Sequence, residues 1–216
     1  MPALLKRSIA EFFGTALLVC VVVGSGIMGT NLSNDAGVAL LINTVSTIFA
    51  LALLILILGP VSGAHFNPVV TLAMLASKRI SPVTVWAYIP AQILGAVVGA
   101  VLANLMFNFP AVQISDSYRM STGTFIGEVL ATAGLLIVIL VLLQRDQGGL
   151  IPVSVAAWIG SAYFFTSSTS FANPAVTVGR IFSDTFAGIS PDSVVPFIGA
   201  QLVGAAIGIL GVKAIK

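Results

Sequence analysis

The stretch SGAHFNPVVT, residues 62–71, contains an Asn-Pro pair that recurs in the stretch FANPAVT, residues 171–177. Proline suits the first position of a helix, because the N–H that it lacks would be unpaired there. Asparagine just before it is a favoured N-cap, because its side-chain oxygen accepts from the backbone of the first turn. The two pairs therefore predict short helices that begin at Asn67 and at Asn173.

The composition indicates an integral membrane protein. The chain has 216 residues, of which 58% are hydrophobic and 7% are charged, whereas a soluble domain carries about 25% charged residues. The mean hydropathy is +1.11. Since lipid offers no partner to an unpaired backbone group, long apolar runs of this kind predict helices, and the alternation typical of a transmembrane barrel is absent.

The scarcity of certain residues excludes several classes of function. There is no basic patch of the kind that binds nucleic acid. The single cysteine excludes an internal disulfide, and the single histidine excludes a multi-histidine metal site. The sequence implies no cofactor and no metal.

Six segments are long and apolar enough to cross a bilayer, which takes about 20 residues. They cover roughly 8–29, 37–59, 82–106, 121–143, 150–168 and 193–213. Two shorter stretches, at about 67–77 and 173–182, cannot cross.

The basic residues predict the orientation of these segments. An even number of spans puts both termini on one side, and seven of the nine basic residues fall on that side. They are Lys6, Arg7, Lys78, Arg79, Arg145, Lys213 and Lys216. Because basic residues collect on the cytoplasmic side, both termini are predicted to be cytoplasmic. The short loops favour a bacterial or archaeal inner (plasma) membrane.

A repeat divides the chain into halves, 1–112 and 113–216. AQILGAVVG at 91–99 matches AQLVGAAIG at 200–208, with five of nine positions identical. Each half also contains an acid in its first span and one Asn-Pro segment. Three spans per half is an odd number, so the second half is predicted to be inverted relative to the first. Such repeats place their functional site near the membrane midplane, where interrupted segments meet.

The paired Asn-Pro segments predict a pore with a particular chemistry. Loop carbonyls before each pair offer acceptors, and each asparagine NH₂ is expected to be free to donate into the lumen. Two half-helix N-termini, each equivalent to about half a positive charge, would face one point. Cations and protons would be repelled there, while a neutral hydrogen-bonding solute would pass.

These motifs resemble the two signature loops of the aquaporin and aquaglyceroporin (major intrinsic protein) family, and the resemblance covers essentially the whole chain. It implies an all-α integral membrane fold of six transmembrane helices and two re-entrant half-helices in an inverted repeat. It also implies a homotetramer with one pore per subunit. A protein of this family is expected to be a channel and not an enzyme. The residues carried over to the pore motifs are Asn67, Pro68, Val69, Asn173, Pro174 and Ala175. Val69 stands where alanine is usual.

The sequence departs from this family at the narrow filter, where an arginine normally follows the second asparagine by three positions. Val176 occupies that position here. The other filter positions, carried over by spacing, are Thr47, Ser161 and Ser170. This set has no aromatic ring and no arginine, which predicts a wide filter with weaker cation exclusion. Glycerol, urea or undissociated metalloid acids such as arsenite would pass, and the sequence resembles bacterial members with valine at this position.

Arg180 is a poor candidate to replace the missing arginine. It lies seven residues after Asn173, about two turns along a helix. We expect it at the outer surface, paired with Asp184, where a cation suits the C-terminal end of a half-helix.

Two acids and two glutamines lie within the apolar spans: Glu11, Glu128, Gln92 and Gln201. The family resemblance favours a structural role in which the acids accept from the re-entrant loops and the glutamines help to hold them. The alternative is a proton-coupled secondary transporter that uses Glu11 and Glu128. His65 is either a pore-lining gate or a buried neutral histidine that is bonded to a loop. An intramembrane protease built on Ser62 and His65 is disfavoured, because no G-x-S-x-G turn exists.

Overall fold

A computed structural model describes residues 3–214, and within that range it contains helices, turns and loops but no strand. The eight α-helices are α1 (Ala3–Leu32), α2 (Ala36–Ser62), α3 (Pro68–Ala76), α4 (Pro82–Met106), α5 (Thr122–Gln144), α6 (Ile151–Phe165), α7 (Pro174–Gly179) and α8 (Pro191–Ala214). Turns of 3-10 helix precede α6 at Gly148–Leu150 and follow α7 at Arg180–Phe182. Lys216, which the orientation prediction includes, lies outside the described residues.

The six long helices correspond to the six predicted spans when the 3-10 turn at Gly148–Leu150 is counted with α6, and the mean hydropathy of each span lies between 1.4 and 2.6. The two short helices α3 and α7 begin directly after the Asn-Pro asparagines, as predicted. Both halves of the chain therefore have the same order of elements: two long helices, a half-helix and a third long helix. The predicted fold class is confirmed.

Glycines allow α1 to cross α4 closely, and α5 to cross α8. A Cβ atom added to Gly99 would lie 2.2 Å from the carbonyl oxygen of Ala16, and one added to Gly208 would lie 2.7 Å from that of Ala133. The glycine four residues earlier in each helix makes a similar approach to backbone. Small residues of this kind let helix backbones approach in a membrane, where packing drives association.

The distribution of polar and apolar side chains is the reverse of that in a soluble protein. Trp86 is 81% exposed and Phe13 is 57% exposed, whereas Glu11 and Glu128 are 0% exposed. Large apolar side chains on the outside suit lipid, and buried polar groups must find partners inside the protein. The chain is a multi-pass membrane protein.

Candidate pore and its outer constriction

Each Asn-Pro asparagine caps its own half-helix, as the sequence predicts. The Oδ1 atom of Asn67 accepts from the backbone N–H of Val69 at 3.0 Å. The Oδ1 atom of Asn173 accepts from the N–H groups of Ala175 at 3.0 Å and Val176 at 3.3 Å. Both asparagines have extended backbones, with φ of −154° and −157°, which suits an N-cap.

The same asparagines connect the two halves. The Nδ2 atom of Asn67 donates to the carbonyl of Ala172, and that of Asn173 donates to the carbonyl of Phe66, both at 2.8 Å. The N-termini of α3 and α7 therefore meet. The expectation that both amides are wholly free is wrong, since one of the two N–H bonds of each amide is used here. The other remains for the cavity that both asparagines line.

Glu11 holds the loop before α3. Its carboxylate accepts from the backbone N–H groups of His65 at 2.9 Å and Phe66 at 2.7 Å. It also accepts from the hydroxyl of Ser62 at 2.6 Å and the amide of Gln92 at 2.8 Å.

Glu128 makes the equivalent contacts with the loop before α7. It accepts from the N–H groups of Phe171 and Ala172, both at 2.8 Å, and from the amide of Gln201 at 2.7 Å. The amide of each glutamine also donates to a threonine of its half-helix at 2.9 Å. These contacts favour the structural reading of both acids over proton coupling, because their oxygens are occupied by loop donors and neither acid lines the cavity.

The two loops also share a backbone pattern. The residues one, three and four positions before each asparagine have a positive φ in the left-handed region. In the first loop they are Gly63, Ala64 and Phe66, and in the second they are Thr169, Ser170 and Ala172. This pattern turns two successive N–H groups of each loop toward one carboxylate.

A cavity of about 300 Å³ runs beside the two asparagines. Four long helices line it with aliphatic side chains at four-residue spacing, which keeps one face of each helix toward the cavity, and α1 contributes Leu18 and Val22. The others are Leu51 and Ile55 of α2, Leu135, Ile139 and Leu143 of α5, and Ile151, Val155 and Ile159 of α6. The wall is therefore apolar along the helices, and the two loops and the half-helices supply most of its polar groups.

Three of the four predicted filter residues line this cavity: Thr47, Ser170 and Val176. Ser161 does not, and that prediction is wrong. It is exposed on α6, two residues from both Ile159 and Tyr163, which line the cavity. Two residues rotate a helical position by about 200°, so Ser161 points to the opposite side of α6.

Tyr163 takes the position that Ser161 was expected to fill. It is buried, and its hydroxyl lies 3.5 Å from the Oγ1 atom of Thr47. Two aromatic rings and an arginine, which the predicted filter set lacks, also line the cavity: those of Tyr163, Phe171 and Arg180.

Arg180 is not at the outer surface. It is 4% exposed, its Nε donates to the carbonyl of Ala187, and its guanidinium carbon lies 3.5 Å from the ring centroid of Phe171. The expected partner, Asp184, is exposed and instead accepts from the hydroxyl of Ser115 at 3.2 Å. Side chains on a helix lean toward its N-terminus, so Arg180 reaches back toward the constriction instead of outward.

Arg119 supports this arrangement, although no motif in the sequence indicates it. Its guanidinium donates through Nε to the carbonyl of Gly188 and through Nη2 to that of Phe186 at 2.7 Å. It also lies 5.7 Å from the ring centroid of Phe171. Burial lowers the pKa of the Arg119 guanidinium from its ordinary value. The partners of Arg119 are 67 and 69 residues away in sequence, so no local pattern indicates them.

The pore geometry can be compared with known proteins. The profile of the family described as "Major intrinsic protein" matches residues 1–172. The chain belongs to this family. Its members are passive channels, so this chain is a channel protein and not an enzyme.

Similar proteins of this family cover most of the chain. Aquaglyceroporin AqpS of Rhizobium meliloti (strain 1021) is 44% identical over 202 residues, which are 94% of this chain and 86% of the relative. Glycerol uptake facilitator protein-like 6 of Lactiplantibacillus plantarum is 31% identical over 225 residues, with 96% and 99% covered. The X-ray structure of the aquaglyceroporin from Plasmodium falciparum superposes with a TM-score of 0.70 at 25% identity and covers 98% of this chain and 94% of its own.

The opposite end of the pore in this major intrinsic protein contains His65 and Arg79, which both line the cavity. The Nδ1 atom of His65 lies 3.0 Å from the hydroxyl of Thr71, and its ring meets that of Tyr88 edge-on at 5.3 Å. His65 is thus both bonded to a half-helix and part of the wall. Arg79 donates to the carbonyl of Leu143 at 3.0 Å, and the sequence analysis assigns it no role at the pore.

Proposed function

We propose that this protein conducts water and small neutral solutes passively, with glycerol as the reference solute. The observation that carries the proposal is the valine at position 176, which lines the cavity together with Thr47 and Ser170. Valine is short and apolar, so position 176 adds little bulk to the pore wall, which favours passage of a three-carbon polyol. The names of the relatives agree, since two of them are called aquaglyceroporins and one a glycerol uptake facilitator-like protein.

The charges around the pore favour an uncharged solute over a cation. Two half-helix N-termini meet beside the cavity, and each is equivalent to about half a positive charge. No aspartate or glutamate is among the described residues that line the cavity. Cations therefore meet an unfavourable potential, while Asn67 and Asn173 offer N–H donors to a neutral solute.

The same aperture would admit other small neutral molecules. Urea and undissociated metalloid acids such as arsenite carry several hydrogen-bonding groups and no net charge. They therefore resemble glycerol in having hydrogen-bonding groups and no net charge, the two properties that the pore is proposed to select.

The setting of the channel is also a proposal. It would form a homotetramer with one pore per subunit, in the inner (plasma) membrane of a bacterium or archaeon, with both termini in the cytoplasm. Its halves, 1–112 and 113–216, would be related by inversion. The basic residues on the terminal side and the identical order of elements in the two halves support these assignments.

Stopped-flow light scattering on proteoliposomes tests the function. Vesicles challenged with glycerol should shrink quickly as water leaves and then reswell quickly as glycerol enters, compared with protein-free vesicles. Fast shrinkage without fast reswelling would mean a water-selective pore and would reject the wide aperture at Val176.

A pH gradient separates this proposal from a proton-coupled transporter. The channel should give the same glycerol rate with and without the gradient, because Glu11 and Glu128 are bonded to the loops and do not line the cavity. A rate that follows the gradient would favour the transporter.

A further inference from the structure

We infer that the Arg180 guanidinium and the Ser170 hydroxyl form a solute-binding site on the outer side of Val176. This site takes a small solute that presents acceptor oxygens, and its fixed positive charge repels cations. The inference rests on the proposed channel function. In this inference Arg180 supplies the N–H donors and the positive charge that Val176 does not supply.

The guanidinium of Arg180 is held in one orientation with donors to spare. An arginine has five N–H donors in a rigid plane. The Nε donor is used on the carbonyl of Ala187, and one face of the plane lies on the Phe171 ring at 3.5 Å. The terminal nitrogens have no hydrogen bond to the described protein groups in the structure, and the residue lines the cavity. A cation fixed by stacking and one backbone bond loses little further side-chain freedom when a solute binds.

The hydroxyl of Ser170 is a second group that lacks a partner. Ser170 is 3% exposed and lines the same cavity, and its Oγ atom has no hydrogen-bond partner in the structure. A buried hydroxyl without a partner destabilises the protein, because it has lost its hydrogen bonds to water and gained none in exchange. A solute oxygen beside it removes this destabilisation, because a hydroxyl both donates and accepts.

The charge of Arg180 faces the pore without a carboxylate opposite it. The described cavity wall contains two arginines, Arg79 and Arg180, and no aspartate or glutamate. Glu128 lies behind the loop, where it accepts from the N–H groups of Phe171 and Ala172. An uncompensated guanidinium in an apolar mouth produces a potential that excludes cations.

Different residues therefore select the solute by its size and by its charge. Arg180 follows Val176 by four residues, about one helical turn or 6 Å. Val176 itself adds little bulk to the wall, and the guanidinium of Arg180, which stacks on the Phe171 ring, supplies the charge. The weaker cation exclusion expected from Val176 alone does not follow once Arg180 is in the wall.

Arg119 positions Arg180 without touching the solute path. It donates to the carbonyls of Phe186 and Gly188, the residues on either side of Ala187, whose carbonyl accepts from Arg180. Loss of Arg119 should therefore loosen Arg180 without removing the charge from the pore.

The test compares Arg180→Gln with the wild-type protein in proteoliposomes, and it measures water efflux, the glycerol concentration at half-maximal influx, and sodium leak. Arg180→Gln should raise sodium leak by about tenfold and raise the half-saturating glycerol concentration several-fold. Arg145→Gln is the matched charge control, because Arg145 is exposed and lies outside the cavity wall, and it should change none of these.

Two further variants keep the site testable if Arg180→Gln does not fold. Arg180→Lys retains the charge but not the planar donors, so sodium leak should stay low while glycerol saturation weakens. Ser170→Ala should weaken glycerol saturation and leave sodium leak unchanged. A folded Arg180→Gln with wild-type leak and saturation would overturn the inference, as would wild-type saturation in both Arg180→Lys and Ser170→Ala. Failure of the wild-type protein to exceed protein-free vesicles would reject the channel proposal itself, which is a separate result.

Discussion

In the first half of the chain, the loop before α3 is held by Glu11 and Gln92, and in the second half, the loop before α7 is held by Glu128 and Gln201. The positions with left-handed backbone match residue for residue when the two asparagines are aligned. The two halves differ after their half-helices. A short link from 77 to 81 joins α3 to α4, whereas a 3-10 turn and a longer segment up to 190 join α7 to α8.

This difference separates what builds the fold from what selects the solute. The contacts that recur in both halves hold the loops at the centre of the pore. Among the contacts found in one half only, those of Arg180, Arg119 and Phe171 lie at one mouth, and those of His65 and Arg79 lie at the other. Substitutions at shared positions should therefore affect stability, and substitutions at unshared positions should affect selectivity.

The largest effect is expected from Glu11→Ala and Glu128→Ala. Each leaves two buried backbone N–H groups without an acceptor, at about 1–3 kcal/mol for each group. We expect both variants to lose most of their folded yield and to unfold at a much lower temperature in detergent. The exposed Asp146→Asn is the control for loss of one acid and should behave as wild type. A severe loss in only one of the two glutamate variants would show that the loops are not equivalent.

The next largest effect on stability is expected where α1 crosses α4, at Gly99, and where α5 crosses α8, at Gly208. An alanine at position 99 places Cβ 2.2 Å from a backbone oxygen, against 2.7 Å at position 208. Overpacking of this kind costs about 1–3 kcal/mol, so Gly99→Ala should lower the unfolding midpoint more than Gly208→Ala. Gly199→Ala is the control on α8, because its added Cβ meets nothing within 4 Å and should be neutral or slightly stabilising. The opposite ranking of positions 99 and 208 would contradict the geometry.

Val176→Arg tests the width of the outer constriction. The larger side chain should reduce glycerol influx by about tenfold, which corresponds to about 1.4 kcal/mol, while water efflux is retained. Val176→Ala, which removes bulk at the same position, should not slow glycerol. The measurement is the reswelling rate of proteoliposomes. Equal loss of both fluxes, or no change in either, would mean that Val176 does not set the aperture.

The smallest expected change in the free energy of unfolding comes from the loop residues with left-handed backbone. The first of the three left-handed positions is Gly63 in one loop and Thr169 in the other, with φ of 93° and 58°. A residue with a side chain is strained in this region, so Thr169→Gly should stabilise the protein by about 1 kcal/mol. Gly63→Thr should destabilise it by at least as much. Chemical unfolding in detergent measures both, and a loss of stability in Thr169→Gly would show that the threonine side chain matters more than the backbone strain.

The sequence predicts the parts of this molecule that depend on local patterns. The six apolar spans, the Asn-Pro caps and the acids near the start of each half follow from residue type and spacing. Thr47, Ser170 and Val176 also line the cavity as predicted, but their role in selection stays a prediction.

The errors arose where a spacing crossed an irregular loop. Counting back from Asn173 to Ser161 passes through residues 166–172, which are not helical and do not preserve helical phase. The four-residue ladder of Val155, Ile159 and Tyr163 on α6 is the signal that indicates the correct face. Arg180 differs from its expected place for another reason, because the distance along the helix axis does not include the backward lean of its side chain.

The paired asparagine contacts also have a consequence for biosynthesis. Asn67 donates to a carbonyl 105 residues later in the chain, and Phe66 accepts from an amide 107 residues later. At 5–20 residues per second, a ribosome needs about 5–20 seconds to make that stretch. During this interval the first loop is held only by contacts within its own half, such as those of Glu11 and Gln92. The contact that completes the pore is therefore among the last to form as the chain is inserted, and each half must keep its own loop folded until the other half emerges.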